Sequence, residues 1–184
     1  IDGSITTLKW DFANGDTANG LEVRYQYAKS GTYIVKLTVK DDTNLPNNTS
    51  SDTMMVVINE APVPVITAPL WVCIGEAVEF NGLTSKDADG QVTFYEWNFG
   101  DGTTDSGSAV KHIYSTAGTY EVTLKVKDNR NLTNSYKSVS KIIKINRPPF
   151  SFAGPDLIGC AEEVLTFDGS ASEDQDGEIK RYVW

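Results

Sequence analysis

Short runs of alternating apolar and polar residues recur along this chain. In residues 120–128, Tyr120, Val122, Leu124 and Val126 face one way and Glu121, Thr123, Lys125 and Lys127 the other. That period of two predicts a strand with one buried face. Tyr33, Val35, Leu37 and Val39 carry the same pattern. A second inward row is predicted at Tyr95, Trp97 and Phe99, matched by Leu8, Trp10 and Phe12. Asp101-Gly102 and Asn14-Gly15 follow these rows, and such dipeptides supply the positive φ angles of a tight hairpin turn. Val78 with Phe80 opens a domain, and Val139, Ile143 and Ile145 close it. Helical periodicity is absent.

The pattern repeats with a period of 87 residues, which spaces Gly3, Gly90 and Gly177 and also Trp10, Trp97 and Trp184. Tyr27, Gly31, Tyr33 and Asp41 return as Tyr114, Gly118, Tyr120 and Asp128. Cys73, Phe80, Gly82, Ser85, Asp87 and Asp89 return as Cys160, Phe167, Gly169, Ser172, Asp174 and Asp176. Self-similarity of this length denotes a tandem array of small domains. The predicted division is a partial domain at 1–60 that lacks its opening strands, a complete domain at 61–146, and a partial domain at 147–184 with opening strands only. About seven short strands per repeat, broken by Gly, Asn, Asp and Pro, predict an all-β chain of tandem immunoglobulin-like β-sandwiches. No repeat holds more than one Cys, so the disulfide of antibody domains is excluded. A buried Trp then carries much of the core.

The half-repeats are expected to be completed by strands outside these 184 residues. A neighbouring copy could supply them, but the Trp strand occurs in both halves, at 5–10 and 179–184, so a joined pair would own it twice. An excerpt of a longer covalent array or fibre is the preferred expectation.

Composition narrows the function classes. The net charge is -9 without a basic cluster, which argues against nucleic acid and anionic membrane as partners. No apolar run approaches the roughly 18 residues of a membrane span. The linkers at 59–62 and 146–149 are short and contain Pro, and such linkers are stiff. His112 is the single histidine, so a Ser-His-Asp or Cys-His arrangement would have to use it. Its place on a predicted strand between Val110 and Tyr114, and its replacement by Tyr25 one repeat earlier, favour a structural role. Cys73 and Cys160 are expected as buried free thiols.

Two motifs could carry binding or modification. Asp87-Ala-Asp89-Gly90 and Asp174-Gln-Asp176-Gly177 place carboxylates two apart before a Gly turn, a pattern that can direct hard oxygen ligands at one cation. The plain alternative is an Asx turn in which the side chains bond their own backbone. Asn47, Asn48 and Asn131 each begin an Asn-x-Ser/Thr sequon in the loop between the last two strands of a domain. Adjacent Asn47 and Asn48 are not expected to be occupied together. Aromatics for a carbohydrate platform are spoken for, since Tyr95, Trp97 and Phe99 belong to the core and the outward Phe94 becomes Thr7 and Arg181 in the sister repeats.

Ser85-x-Asp87-x-Asp89-Gly90, Tyr95-x-Trp97-Asn98-Phe99-Gly100-Asp101-Gly102, His112-x-Tyr114 and the run from Gly118 to Asp128 closely resemble the polycystic-kidney-disease (PKD) repeat. The first repeat departs from it at Ala13-Asn14 and at Tyr25. The resemblance implies PKD-like sandwiches in an extracellular or cell-surface protein, a surface layer or a filament. There they act as non-catalytic spacer or adhesion units. The second implied role is that of accessory substrate-binding or spacer modules of a secreted hydrolase. It implies neighbouring domains or copies of the chain as partners, with protein or carbohydrate surface ligands. No cofactor is required. Similar modules of secreted collagenases use the Asp-x-Asp loop for calcium, which makes Asp87, Asp89, Asp174 and Asp176 the implied ligands.

Overall fold

The structure is a computed structural model that describes residues 3–43 and 45–183. Eleven strands occur among the described residues, and no helix. They are β1 (Ile5–Asp11), β2 (Thr17–Asn19), β3 (Gly31–Asp41), β4 (Thr49–Ile58), β5 (Trp71–Cys73), β6 (Ala77–Asn81), β7 (Val92–Asn98), β8 (Thr104–Ser106), β9 (Ala109–Ile113), β10 (Gly118–Asp128) and β11 (Tyr136–Asn146). By contacts the chain divides into two compact units, one of residues 1–62 with loops 87–91 and 128–136, the other of 63–86, 92–127 and 137–184.

The first unit contains one four-stranded sheet in the order β2-β1-β3-β4. Trp10 sits opposite Ala18 on β2 and Leu37 on β3, and Val35 sits opposite Met54 on β4. Val35 and Phe12 are buried, whereas Leu8, Trp10, Leu37 and Val39 are half-buried.

The second unit contains a five-stranded sheet, β5-β11-β10-β7-β8, and a two-stranded sheet of β6 and β9. Val78, Phe80, Trp97, Phe99, Val110, Tyr114, Val122, Leu124, Val126, Ile143 and Ile145 form one buried cluster between them. The alternation in β10 accounts for this directly, because Val122, Leu124 and Val126 are fully enclosed and point to one side. Gly82 is fixed by the same packing: a Cβ there would lie 3.0 Å from Leu124 and 3.1 Å from Tyr95. The outward Phe94 is 41% exposed.

Two expectations are corrected, and one element has no counterpart among the described strands. Residues 22–26, which correspond to β9, form no strand, and no described strand of the first unit pairs with them as β6 pairs with β9. The strands expected at 164–167 and 179–184 are absent among the described residues, where residues 147–183 hold only an isolated bridge between Phe150 and Glu173. Trp184 lies outside the described residues, as do Ile1 and Asp2 at the start of the first repeat. A strand exists through its ladder partners, and among the described residues no ladder includes either segment. Cys73 and Cys160 are exposed rather than buried. On the edge strand β5 the half-buried residue is Val72, which turns Trp71 and Cys73 to the opposite, solvent side.

Candidate functional site

The loop after β6, the loop after β10 and the linker after β4 meet in the first unit. Ser85 opens the motif as a structural residue, its hydroxyl accepting from the Val65 N–H at 3.0 Å. The chain then turns sharply, and Gly90 is required because a Cβ at that place would lie 2.5 Å from Asp87 Oδ2 and would crowd Asn129 Oδ1. The repeat reproduces this, with Gly177 against Asp174 Oδ2 at 2.7 Å.

Asp87 and Asp89 have different environments. Asp89 Oδ1 accepts the backbone N–H of Glu60 in the linker at 3.1 Å. Both carboxyl oxygens of Asp87 are buried without a well-formed hydrogen bond. Burial pushes the Asp87 carboxyl above its usual range; the Asp89 N–H pulls it back, but the charges of Asp89 and Asp128 add to the rise. Asn59 is buried and its Oδ1 is unpartnered, while its Nδ2 donates to Asp128 Oδ2 at 2.8 Å and to the Glu60 carbonyl at 2.8 Å. Asp128 is buried as well, which would raise its carboxyl, but bonds from Asn59, the Arg130 N–H and Ser135 carry it below the usual range. Asn134 Nδ2 completes the clasp by donating to the Asn59 carbonyl at 2.9 Å.

Sequence reasoning missed Asn59 and Asp128 as site residues. The signal was present, since Asn146 repeats Asn59 and Asp41 repeats Asp128 at the same spacing as the Asp pair. At the second linker Asn146 Nδ2 donates to the Arg147 carbonyl at 2.8 Å and the Arg147 N–H donates to Asp176 Oδ2 at 2.8 Å. There Asp174 Oδ1 accepts the Asp176 N–H at 3.3 Å.

Buried oxygens of a carboxylate and an amide without well-formed hydrogen bonds, close to further carboxylates, are the donor set a hard cation such as calcium takes. Among the described residues no group of three or more His, Cys, Asp or Glu side chains is arranged to hold a metal ion. The fit therefore depends on amide oxygens as well as on carboxylates.

His112 belongs to the second unit. Its Nε2 lies 2.7 Å from Asp101 Oδ2, its ring stacks on Phe99 at 4.0 Å, and the edge of Tyr114 meets it at 4.6 Å. It pins the β7–β8 turn to β9. An open groove of about 440 Å³ beside Phe150, Phe152 and Tyr182 is lined by Gly169 and Tyr182, the counterparts of Gly82 and Tyr95 in the second repeat.

The model of the PKD domain family matches residues 1–56 and 59–143. Over 128 residues, 70% of this chain and 11% of the relative, the chain is 32% identical to collagenase ColA of Clostridium perfringens. Over an alignment of 207 residues, 100% of this chain and 19% of the relative, it is 30% identical to human dyslexia-associated protein KIAA0319. The solved PKD1 domain of the Vibrio cholerae metalloprotease PrtV is 32% identical with a TM-score of 0.41, covering 47% of this chain and 98% of that one. The chain thus spans less than a fifth of the length of these curated relatives.

Proposed function

Because this chain belongs to the PKD domain family, we propose that it is a non-catalytic extracellular segment whose repeats act as spacer and adhesion units, with calcium setting the stiffness of each junction. The family is a non-catalytic module, and no catalytic family is matched. One observation carries the reading. The linker N–H is bonded to the second Asp of the Asp-x-Asp loop at both junctions, Glu60 to Asp89 and Arg147 to Asp176. Spacers need linkers that are held in place, and here each linker N–H is held by the side-chain carboxylate of that Asp.

Calcium would be taken by Asp87 and Asp89 with the Asn59 amide oxygen at the first junction, and by Asp174 and Asp176 with Asn146 at the second. A cation there would neutralise the carboxylates and occupy the oxygens of Asp87 and Asn59 that lack a well-formed hydrogen bond. A second reading, accessory modules of a secreted hydrolase, is favoured by the collagenase and metalloprotease among the relatives.

Thermal melts and small-angle scattering of the whole chain, with calcium and with chelator, test the proposal. Binding to the native state alone raises stability by about 2.7 kcal/mol at a free calcium concentration 100 times Kd, and scattering should report a narrower range of dimensions. Asp87→Asn should abolish both responses. Superimposable melts would remove calcium from the reading, and retention of the same samples on an insoluble polymer would favour the accessory role.

A further inference from the structure

We propose that the chain accepts N-linked glycans at Asn47 and Asn131, and that Asn48, although it also begins a sequon, is kept unmodified by its place in the fold. The step is the transfer of an oligosaccharide from a lipid pyrophosphate. The Asn amide nitrogen bonds to the sugar C1, the bond from C1 to pyrophosphate oxygen breaks, and the amide gives up one proton as the lipid pyrophosphate leaves. The acceptor amide must be free and must face solvent.

Asn47 and Asn131 meet both conditions. Each is exposed, and neither side chain has a hydrogen-bond partner among the described residues. Asn131 sits at the tip of the β10–β11 loop with φ of 60°, a left-handed turn that lifts the residue away from the ladder. The +2 residues, Thr49 and Thr133, are exposed as well.

Asn48 meets neither condition. Its Nδ2 donates to the Thr43 carbonyl at 2.7 Å, its Oδ1 accepts from the Thr49 hydroxyl at 3.1 Å, and its own carbonyl accepts the Asp41 N–H at 3.1 Å. The sister repeat gives independent support. Its equivalent, Ser135, is completely buried, its carbonyl accepts the Asp128 N–H at 3.0 Å, and its hydroxyl accepts the Leu132 N–H at 2.8 Å. This position is the inward clamp of the last loop in both repeats, and a sugar attached there would open the turn.

The proposal rests on the extracellular reading. Supplying a secretion signal in a eukaryotic host makes the test independent of where the native chain resides. Glycosidase release in heavy-oxygen water, followed by peptide mass spectrometry of the secreted full chain, should mark Asn47 and Asn131 and leave Asn48 unlabelled. Asn47→Gln and Asn131→Gln should each lose one glycan without a change in thermal midpoint. Asn48→Gln should keep both glycans and melt lower. Label at Asn48, transfer of the glycan to Asn48 in the Asn47→Gln variant, or absence of label at Asn131 would each overturn the assignment.

Discussion

Trp10 and Trp97 occupy the same place in two sheets built from the same bonds, yet one is half-buried and the other wholly enclosed. Each indole donates to a glycine carbonyl ten residues on, Gly20 at 3.1 Å and Gly107 at 2.9 Å. Tyr27 and Tyr114 each donate to the carbonyl of the Phe two residues after the Trp, at 3.2 Å and 2.9 Å. The ring series Phe12, Tyr25, Tyr27, Tyr33 is the series Phe99, His112, Tyr114, Tyr120 with one substitution. What differs is the β6–β9 sheet that covers Trp97. Local hydrogen bonds therefore set the shape of a repeat, while burial of the Trp face depends on the second sheet.

The largest test of that difference is truncation of the two tryptophans. Trp97→Ala should cost about 3 to 5 kcal/mol, the range for deleting a large enclosed aromatic. Trp10→Ala should cost clearly less, because much of its face is already in contact with water. Hydrogen exchange read separately in β10 and β3 peptides would check this, and equal losses would mean that the shared hydrogen bonds outweigh burial.

A smaller test uses the turn. Gly100 has φ of 78°, and a Cβ there would meet the Glu121 carbonyl oxygen at 2.7 Å. Its counterpart Ala13 adopts the same left-handed region at 61°. Both turns are closed by an equivalent bond, from the Gly100 N–H to Asn98 Oδ1 and from the Ala13 N–H to Asp11 Oδ1, each 2.9 Å. Gly100→Ala should destabilise by about 2 kcal/mol, from left-handed strain of roughly 1–2 kcal/mol together with the backbone collision. Ala13→Gly should change stability by less than about 1 kcal/mol, since relief of strain is offset by added chain entropy. Denaturant midpoints of the two variants measure the contrast.

These particulars also mark what the sequence could disclose. Rows such as Tyr120 to Val126 and the Asx-Gly turns were legible because their signal lies within a few residues. The face turned by Cys73 was not, since an edge strand three residues long shows too little alternation to fix its register. Nor was the clasp of Asn59 on Asp128, whose partners are 69 residues apart and come together only when the sheets form. The Asp-x-Asp pair stood out by its spacing, but only the fold reveals that Asp87 is the buried member without a well-formed hydrogen bond.

The smallest effect concerns the latch beside the turn, where one substitution shifts its weak point from one end of the pH scale to the other. In the second repeat burial would raise the Asp101 carboxyl, but hydrogen bonds from the Thr103 hydroxyl, His112 and the Thr103 N–H carry it below its ordinary value. A carboxyl lowered in the folded state contributes stability that is present above its unfolded pKa, near 3.9, and is lost as pH falls through the folded value. In the first repeat Tyr25 donates to Asp16 and accepts from Asn14 Nδ2 at 2.7 Å. The Asn14 bond lowers the Tyr25 phenol, but Asp16 and burial outweigh it and the net shift is upward. A phenol raised in the folded state contributes stability present below its unfolded pKa, near 10, and lost as pH rises through the folded value. The second repeat should therefore release its turn first in acid, and the first repeat in alkali. The acid effect should be about 1 kcal/mol, the scale of one hydrogen bond. His112→Tyr should weaken the acid dependence of the second repeat and give it an alkaline one. Hydrogen exchange in the β7–β8 and β1–β2 turns, followed from pH 3 to 11 after correction for intrinsic rates, reads both latches in one chain. Parallel profiles in the two turns, or a His112→Tyr profile like that of the parent, would show that the residue at this position does not set the pH response.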